Sequence, residues 1–229
     1  MTIKERVERV REAIAAAALR VGRDPGEVLV VGVAKTFPAR AVQEAVAAGL
    51  TDIGENRVQE AKAKIAEVGA PCRWHMVGHL QTNKARLAVQ LFDWIQSLDS
   101  LKLAHEVEKA GSGLGRRVKT LVEVNLAQES SKTGVGEAEL LPFLEQAGSL
   151  PHVSIEGLMA MPPFDPNPEG VRPYFQRMRR LRDEAASRFP RLGLSHLSMG
   201  MSHDFEVAVE EGATVVRIGT AIFGPRPAK

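Results

Sequence analysis

The chain has 229 residues, 44% hydrophobic and 25% charged, the balance of a folded globular protein with no long disordered tail. Thirty Lys and Arg stand against 28 Asp and Glu, a net charge of +2 with the two signs interspersed, so nucleic-acid binding gets no support. Cys72 is the only cysteine, which excludes an intrachain disulfide and fits a reducing, cytoplasmic compartment.

An amphipathic helix is expected over about residues 2–21. It is not read as a targeting or membrane segment, because acidic and basic residues are interleaved ahead of a short alanine-rich run. After Gly22 and the turn Asp24-Pro25-Gly26, short apolar runs alternate with helical periods. Strands are expected at 28–34, 52–54, 74–77, 94–97, 118–125, 154–159, 196–199 and 214–218. Helices are expected at 39–48, 58–68, 83–91, 101–110, 138–147, 171–188 and 204–210, the first ending on Gly49. A cluster of arginines, Arg177, Arg179, Arg180 and Arg182, falls on the long sixth of these and reads as a solvated helix face.

Eight strand–helix units at a spacing of roughly 25 residues point to an α/β fold, a parallel (β/α)8 TIM barrel. The expectation is one domain over residues 1–229, with the N-terminal helix packed on the barrel. A doubly wound open sheet is the alternative, but eight units exceed what most open sheets carry. The Pro-rich stretch at 161–173 lies between the sixth strand and its helix, where a barrel carries functional loops.

Barrel sites are built from the loops that follow the strands. The run VLVVGVAKTFPAR ends its apolar part on Lys35. Apolar neighbours desolvate an ammonium and lower its pKa, which suits a nucleophilic amine that forms Schiff bases; a lysine snorkelling to solvent is the alternative. Asn56 follows the second strand, His75 ends the third, Ser198, Met199 and Gly200 end the seventh, and Arg217, Gly219 and Thr220 end the eighth. Glycines and hydroxyls after strands seven and eight suit a phosphate held on backbone N–H groups, or else only tight turns. Pyridoxal 5′-phosphate (PLP) combines an aldehyde for the lysine, a phosphate for the glycines and a ring nitrogen that Arg217 would meet. A cationic arginine there would leave the nitrogen unprotonated and the ring a weak electron sink. Phosphate binding by Arg217, or an ion pair with Glu123 or Glu156, stays open at this point.

The segments AKTFPA, IGENRVQEA, RWHMVGHLQTNK, VEVNL with SSKTGV, EGLMAMPP and LSMGMSHDFEVAVEEGATVVRIGTAIFG together closely resemble the pyridoxal phosphate homeostasis proteins, over about residues 28–224. The resemblance implies a barrel similar to the N-terminal domain of bacterial alanine racemase, with PLP held as a Schiff base on Lys35. It implies Ser198, Gly219 and Thr220 as phosphate ligands and Arg217 as partner of the ring nitrogen, with Asn56, His75 and Met199 among the cofactor-binding residues. No metal is implied, and His79 is given no chemistry.

The same resemblance implies a monomeric carrier or buffer of PLP without turnover, whose partners are PLP-dependent apo-enzymes. Alanine racemase takes its second base, a tyrosine, from a C-terminal β-domain that has no counterpart in this sequence, and Tyr174 reads as a packed or capping side chain. The alternatives are an amino-acid racemase of low activity and a Schiff-base lyase on the same barrel. A lyase would want a carboxylate near Lys35, for which Glu55 is the candidate, although it reads as structural. Lys84 and Lys132, on the expected active face, read as surface lysines, with transient PLP acceptance as the alternative.

Overall fold

The computed structural model describes residues 1–126 and 133–225; Lys132 lies outside them. Helix α1 (Ile3–Arg20) precedes strands β1 (Leu29–Val33), β2 (Asp52–Glu55), β3 (Arg73–Met76) and β4 (Trp94–Leu98). These are followed by β5 (Val118–Glu123), β6 (Val153–Met159), β7 (His196–Ser198) and β8 (Val215–Ile218). All neighbours pair in parallel and the sheet closes, β8 returning to β1 with Val31 opposite Arg217 and Gly32 opposite Ile218. That closure excludes the open sheet. Between successive strands run α2 (Ala39–Ala47), α3 (Val58–Val68), α4 (Ala85–Leu91), α5 (Leu101–Gly113), α6 (Glu137–Ala147), α7 (Arg172–Arg188) and α8 (Phe205–Glu210). A single-turn helix, α9 (Thr220–Phe223), follows β8.

Two apolar regions follow from the strand period of two. The main core lies between the strands and the surrounding helices. A small separate cluster, Val31, Val33, Val77 and Val215 with Leu29 against it, fills part of the barrel interior. The rest of the interior is polar, and it carries the site.

Helix α1 begins with a capping box: the Thr2 hydroxyl accepts from the Glu5 amide at 3.2 Å and the Glu5 carboxylate accepts from the Thr2 amide at 2.8 Å. Its buried stripe, Val7, Val10, Ile14, Ala17 and Ala18, faces α2, α8 and α9. Arg20 adds hydrogen-bonded ion pairs to Glu206 and Glu210 of α8.

The elements differ from expectation mainly at their ends. The fifth strand stops at Glu123, and Val124 makes only an isolated parallel bridge to Val135, whose amide donates to the Glu123 carbonyl and whose carbonyl accepts from the Asn125 amide. The fourth helix opens as a 3-10 turn over Thr82–Lys84. Helix α9 was not expected, since four residues are too few for a helical period to register.

Cys72 sits half-buried just before β3. Burial, with the Asp52 and Asp93 carboxylates nearby, pushes its thiol up to about 11. Alkylation by iodoacetamide is therefore expected to be slow near neutral pH and to climb steeply only toward that raised value. Neutral-pH alkylation as fast as that of a free cysteine peptide would contradict it.

Candidate functional site

Two residues beyond Val33, the chain leaves β1 through Lys35, which is half-buried. The backbone around it is tightly determined. The Ala34 amide donates to the Gly54 carbonyl at 3.0 Å, and the Ala34 carbonyl accepts from the Phe37 amide at 3.1 Å. Thr36, at a φ of 69°, is the one non-glycine residue with left-handed backbone among the described residues. For a β-branched residue that conformation costs on the order of 1 kcal/mol or more, so the turn that aims Lys35 is held against strain.

What holds it was not anticipated. The Lys64 ammonium, nearly buried on α3, donates to the Ala34 carbonyl at 2.6 Å and pairs with Glu55 at 2.5 Å. Burial raises the Glu55 carboxyl while the Lys64 ammonium pulls it back down, and its Oε2 is left without a partner. Glu55 is thus engaged behind the β1 turn, in keeping with its structural reading. A lysine in mid-helix gives no sequence signal of such a pairing.

The β8 end approaches the same turn. Phe37 packs on Phe223 of α9 with ring centroids 5.4 Å apart, tying the loops after β1 and β8 together. A Cβ built on Gly219 would meet only the Val33 carbonyl, at 3.6 Å, so the space above it is open. Gly200 is different in kind. Its φ is 92°, and a Cβ there would stand 2.6 Å from the Ala208 Cβ, so this glycine serves the packing of α8.

The β7 loop closes the ring. Ser202 accepts from the Ala221 amide at 3.1 Å and so lies at the start of α9 beside Gly219 and Thr220. Ser198, four residues earlier, faces the barrel interior. Its hydroxyl donates to Gln96 Oε1 at 2.6 Å and accepts from Arg217 Nη1 at 2.6 Å. Both roles of that hydroxyl are filled inside the barrel, while Ser202, which sequence reasoning passed over, holds the position expected of a phosphate ligand. Met199 is fully buried in the main core rather than exposed to the site.

Arg217 is buried at 4% exposure and also donates to the Ala160 carbonyl at 2.9 Å. Among the described residues no carboxylate forms an ion pair with it: Glu156 accepts from Ser154 and Glu123 from Thr133. Burial pushes the guanidinium down to about 10, with Glu123 and Asp204 attracting it from farther away, so it remains cationic at neutral pH. A buried cation without a paired anion is costly, and a ligand acceptor would relieve it. Glu123 is itself buried, its carboxyl raised by desolvation, with Oε2 unpartnered.

His75 lies deeper than the strand-end position suggested. It is 1% exposed, bonded to Asp52 at 2.8 Å and to Gln96 at 3.0 Å, and stacked on Trp94. Asn56 is half-buried at the rim, lining a groove with His79, Gln81 and Lys84. The site therefore brings together Lys35, Gly219, Thr220, Ser202, Ser198 and Arg217. An aldehyde-bearing phosphate ester with a ring nitrogen fits these residues: an amine at one end, an open glycine cradle beside it, and an unpaired guanidinium below.

This closed parallel barrel, with a lysine after its first strand and a buried arginine in its last, is of the alanine-racemase-like class: residues 7–227 match the family model described as alanine racemase, N-terminal domain. Its relatives narrow this. It is 44% identical over 227 residues to the pyridoxal phosphate homeostasis protein of Aquifex aeolicus (strain VF5), covering 99% of each chain. It is 40% identical over 231 residues to the protein of the same name from Escherichia coli (strain K12), covering 98% of this chain and 97% of that one. Among solved structures, PipY of Synechococcus elongatus PCC7942 with PLP bound is 41% identical, covers 97% of this chain and 100% of that one, and superposes with a TM-score of 0.85. The chain belongs to the pyridoxal phosphate homeostasis proteins.

Proposed function

We propose that this protein binds PLP as a Schiff base on Lys35 and acts in intracellular PLP homeostasis as a carrier or buffer without turnover. PLP brings a reactive aldehyde, a dianionic phosphate and a pyridine nitrogen. The Lys35 amine takes the aldehyde carbon, releasing water, while the first amides of α9 at Gly219 and Thr220, with the Ser202 hydroxyl, receive the phosphate. Arg217 donates to the ring nitrogen and, being cationic, leaves it unprotonated. Asn56 stands at the rim as a pocket-lining residue, His75 supports the floor, and Met199 backs the β7 loop.

The observation that carries this reading is the unpaired, buried Arg217 beneath an open Gly219, on the strand next to the one that leads to Lys35. Names support it too: the relatives are called homeostasis proteins, and a 41% identical structure holds PLP. Chemistry supports the reading without turnover. A ring left unprotonated is a weak sink for carbanion charge, and Tyr174 packs against the main core on α7. No helix among the described residues is long and apolar enough to cross a membrane. A cytoplasmic monomer that hands PLP to apo-enzymes completes the proposal.

The test is a transfer assay. Protein loaded with PLP is mixed with a PLP-dependent enzyme stripped of its cofactor, and activation is compared with that by free PLP at equal concentration. Activation in step with loss of the carrier's visible absorbance is expected. Failure of the wild type to take up PLP sinks the proposal, and amino-acid turnover that requires Lys35 replaces the carrier reading with an enzymatic one.

A further inference from the structure

Beneath the site, a single chain of hydrogen bonds runs from the exposed Arg73 into the barrel interior. Arg73 donates to Asp52 through Nε at 2.8 Å and Nη2 at 2.7 Å, and Thr51 donates to the same carboxylate at 2.7 Å. Desolvation pushes the Asp52 carboxyl up, but the donors His75, Arg73 and Thr51 outweigh it and hold the group well below the ordinary carboxylate range. Asp52 is therefore an anion, and it accepts from His75 Nε2. From there the direction of every bond is forced. With the His75 proton on Nε2, Nδ1 is an acceptor and must receive an N–H from Gln96. That turns the Gln96 carbonyl oxygen toward Ser198, whose hydroxyl donates to it and can only accept on its other side, from Arg217. The two ends agree: a carboxylate fixes the polarity from below, and a guanidinium, which has no acceptor atom, requires the same polarity from above.

We propose that His75 and Gln96 are positioning residues that keep the Ser198 hydroxyl turned as an acceptor toward Arg217, and so fix the guanidinium that meets the cofactor's ring nitrogen. The inference rests on the reading of the pocket as a PLP site. Ser198 thereby acts on the ring end of the cofactor through Arg217.

Charged and aromatic groups face His75 from the neighbouring strands. Asp52 faces it from β2 and Arg73 shares its strand. Trp94 of β4 stacks on it with ring centroids 5.8 Å apart. Lys119 of β5 lies 5.1 Å over the Trp94 ring, and His196 of β7 meets that ring edge-on. Arg217 of β8 brings the remaining charge, two hydrogen-bonded side chains away through Gln96 and Ser198. If His75 held a proton on Nδ1 as well, the Gln96 amide would have to turn over, its NH2 would point at Ser198, and the hydroxyl would face donors on both sides.

The experiment compares Gln96→Leu, Gln96→Glu and wild type. In wild type without PLP, nitrogen NMR of His75 is expected to show a neutral ring with Nε2 protonated and Nδ1 bare. Gln96→Leu removes both partners, and PLP is expected to dissociate about tenfold faster with an altered visible spectrum, the size expected from roughly one lost hydrogen bond to a charged group. Gln96→Glu keeps an acceptor for Ser198, and is expected to restore both spectrum and dissociation to within about twofold of wild type. Should Gln96→Leu fail to fold, Ser198→Ala, which deletes only the hydroxyl, carries the same expectation. A wild-type His75 protonated on Nδ1, or a PLP dissociation rate and spectrum unchanged by Gln96→Leu or Ser198→Ala, overturns the positioning role alone. A wild type that takes up no PLP overturns the site reading as well.

Discussion

Lys35→Ala is expected to abolish covalent retention of PLP. Borohydride treatment of the wild type mixed with PLP should fix one equivalent onto the peptide containing Lys35, read by mass spectrometry, while the variant should gain nothing and lose the visible absorbance of the complex. Affinity should drop by about a hundredfold or more, equivalent to roughly 2.7 kcal/mol. Some binding should survive, because the α9 amides, Ser202 and Arg217 are untouched. The barrel should survive too. Ala34 remains fully buried, and its carbonyl is still held by Lys64 and by the Phe37 amide. The competing outcome is informative: an adduct that persists in Lys35→Ala and maps to Lys84, at the rim groove, would move the covalent site off β1.

Much of this site was legible because a parallel barrel collects its strand ends at one face, so counting strands located Lys35, Arg217, Gly219 and Thr220 together. What stayed hidden depended on direction rather than position. SMGMS carries two serines four residues apart, and the strand pattern does not say which one turns inward. In the structure Ser198 is the last residue of β7 and faces the barrel, while the left-handed Gly200 turns the chain so that Ser202 reaches α9. His75 shared a segment with His79, but only closure of the barrel placed Asp52 and Gln96 on its two nitrogens, from strands 23 and 21 residues away. Lys64 was hidden for a related reason. Its neighbours on α3 are Lys62 and Glu67, and nothing local distinguishes the one ammonium that points under β2.

Lys64→Met is expected to be the most destabilising single substitution at the site's support, by about 3–5 kcal/mol, because it leaves the Glu55 carboxylate buried with no cation. Glu55 is fully buried, and its Oε2 already lacks a partner, so nothing nearby can take over. Urea unfolding should show a lower midpoint at unchanged slope. The double variant Lys64→Met/Glu55→Leu should recover most of the loss, since removing both charges also removes the desolvation cost. The pH dependence has a definite sign. The Glu55 carboxyl is already raised in the wild type, and without Lys64 it rises further. Protons then bind the folded variant more readily than the folded wild type, so the deficit of Lys64→Met shrinks at acid pH and grows as pH climbs through the raised wild-type Glu55 carboxyl toward the still higher one of the variant. A deficit that is flat across pH would mean that Glu55 is not carrying its charge in the folded protein. The double variant also separates stability from positioning. Even with folding restored it still lacks the ammonium on the Ala34 carbonyl, the bond that steadies the strained turn at Thr36. Its borohydride-trapped PLP at Lys35 should therefore accumulate more slowly than in wild type, and equal rates would show that Lys64 supports the fold without aiming the lysine.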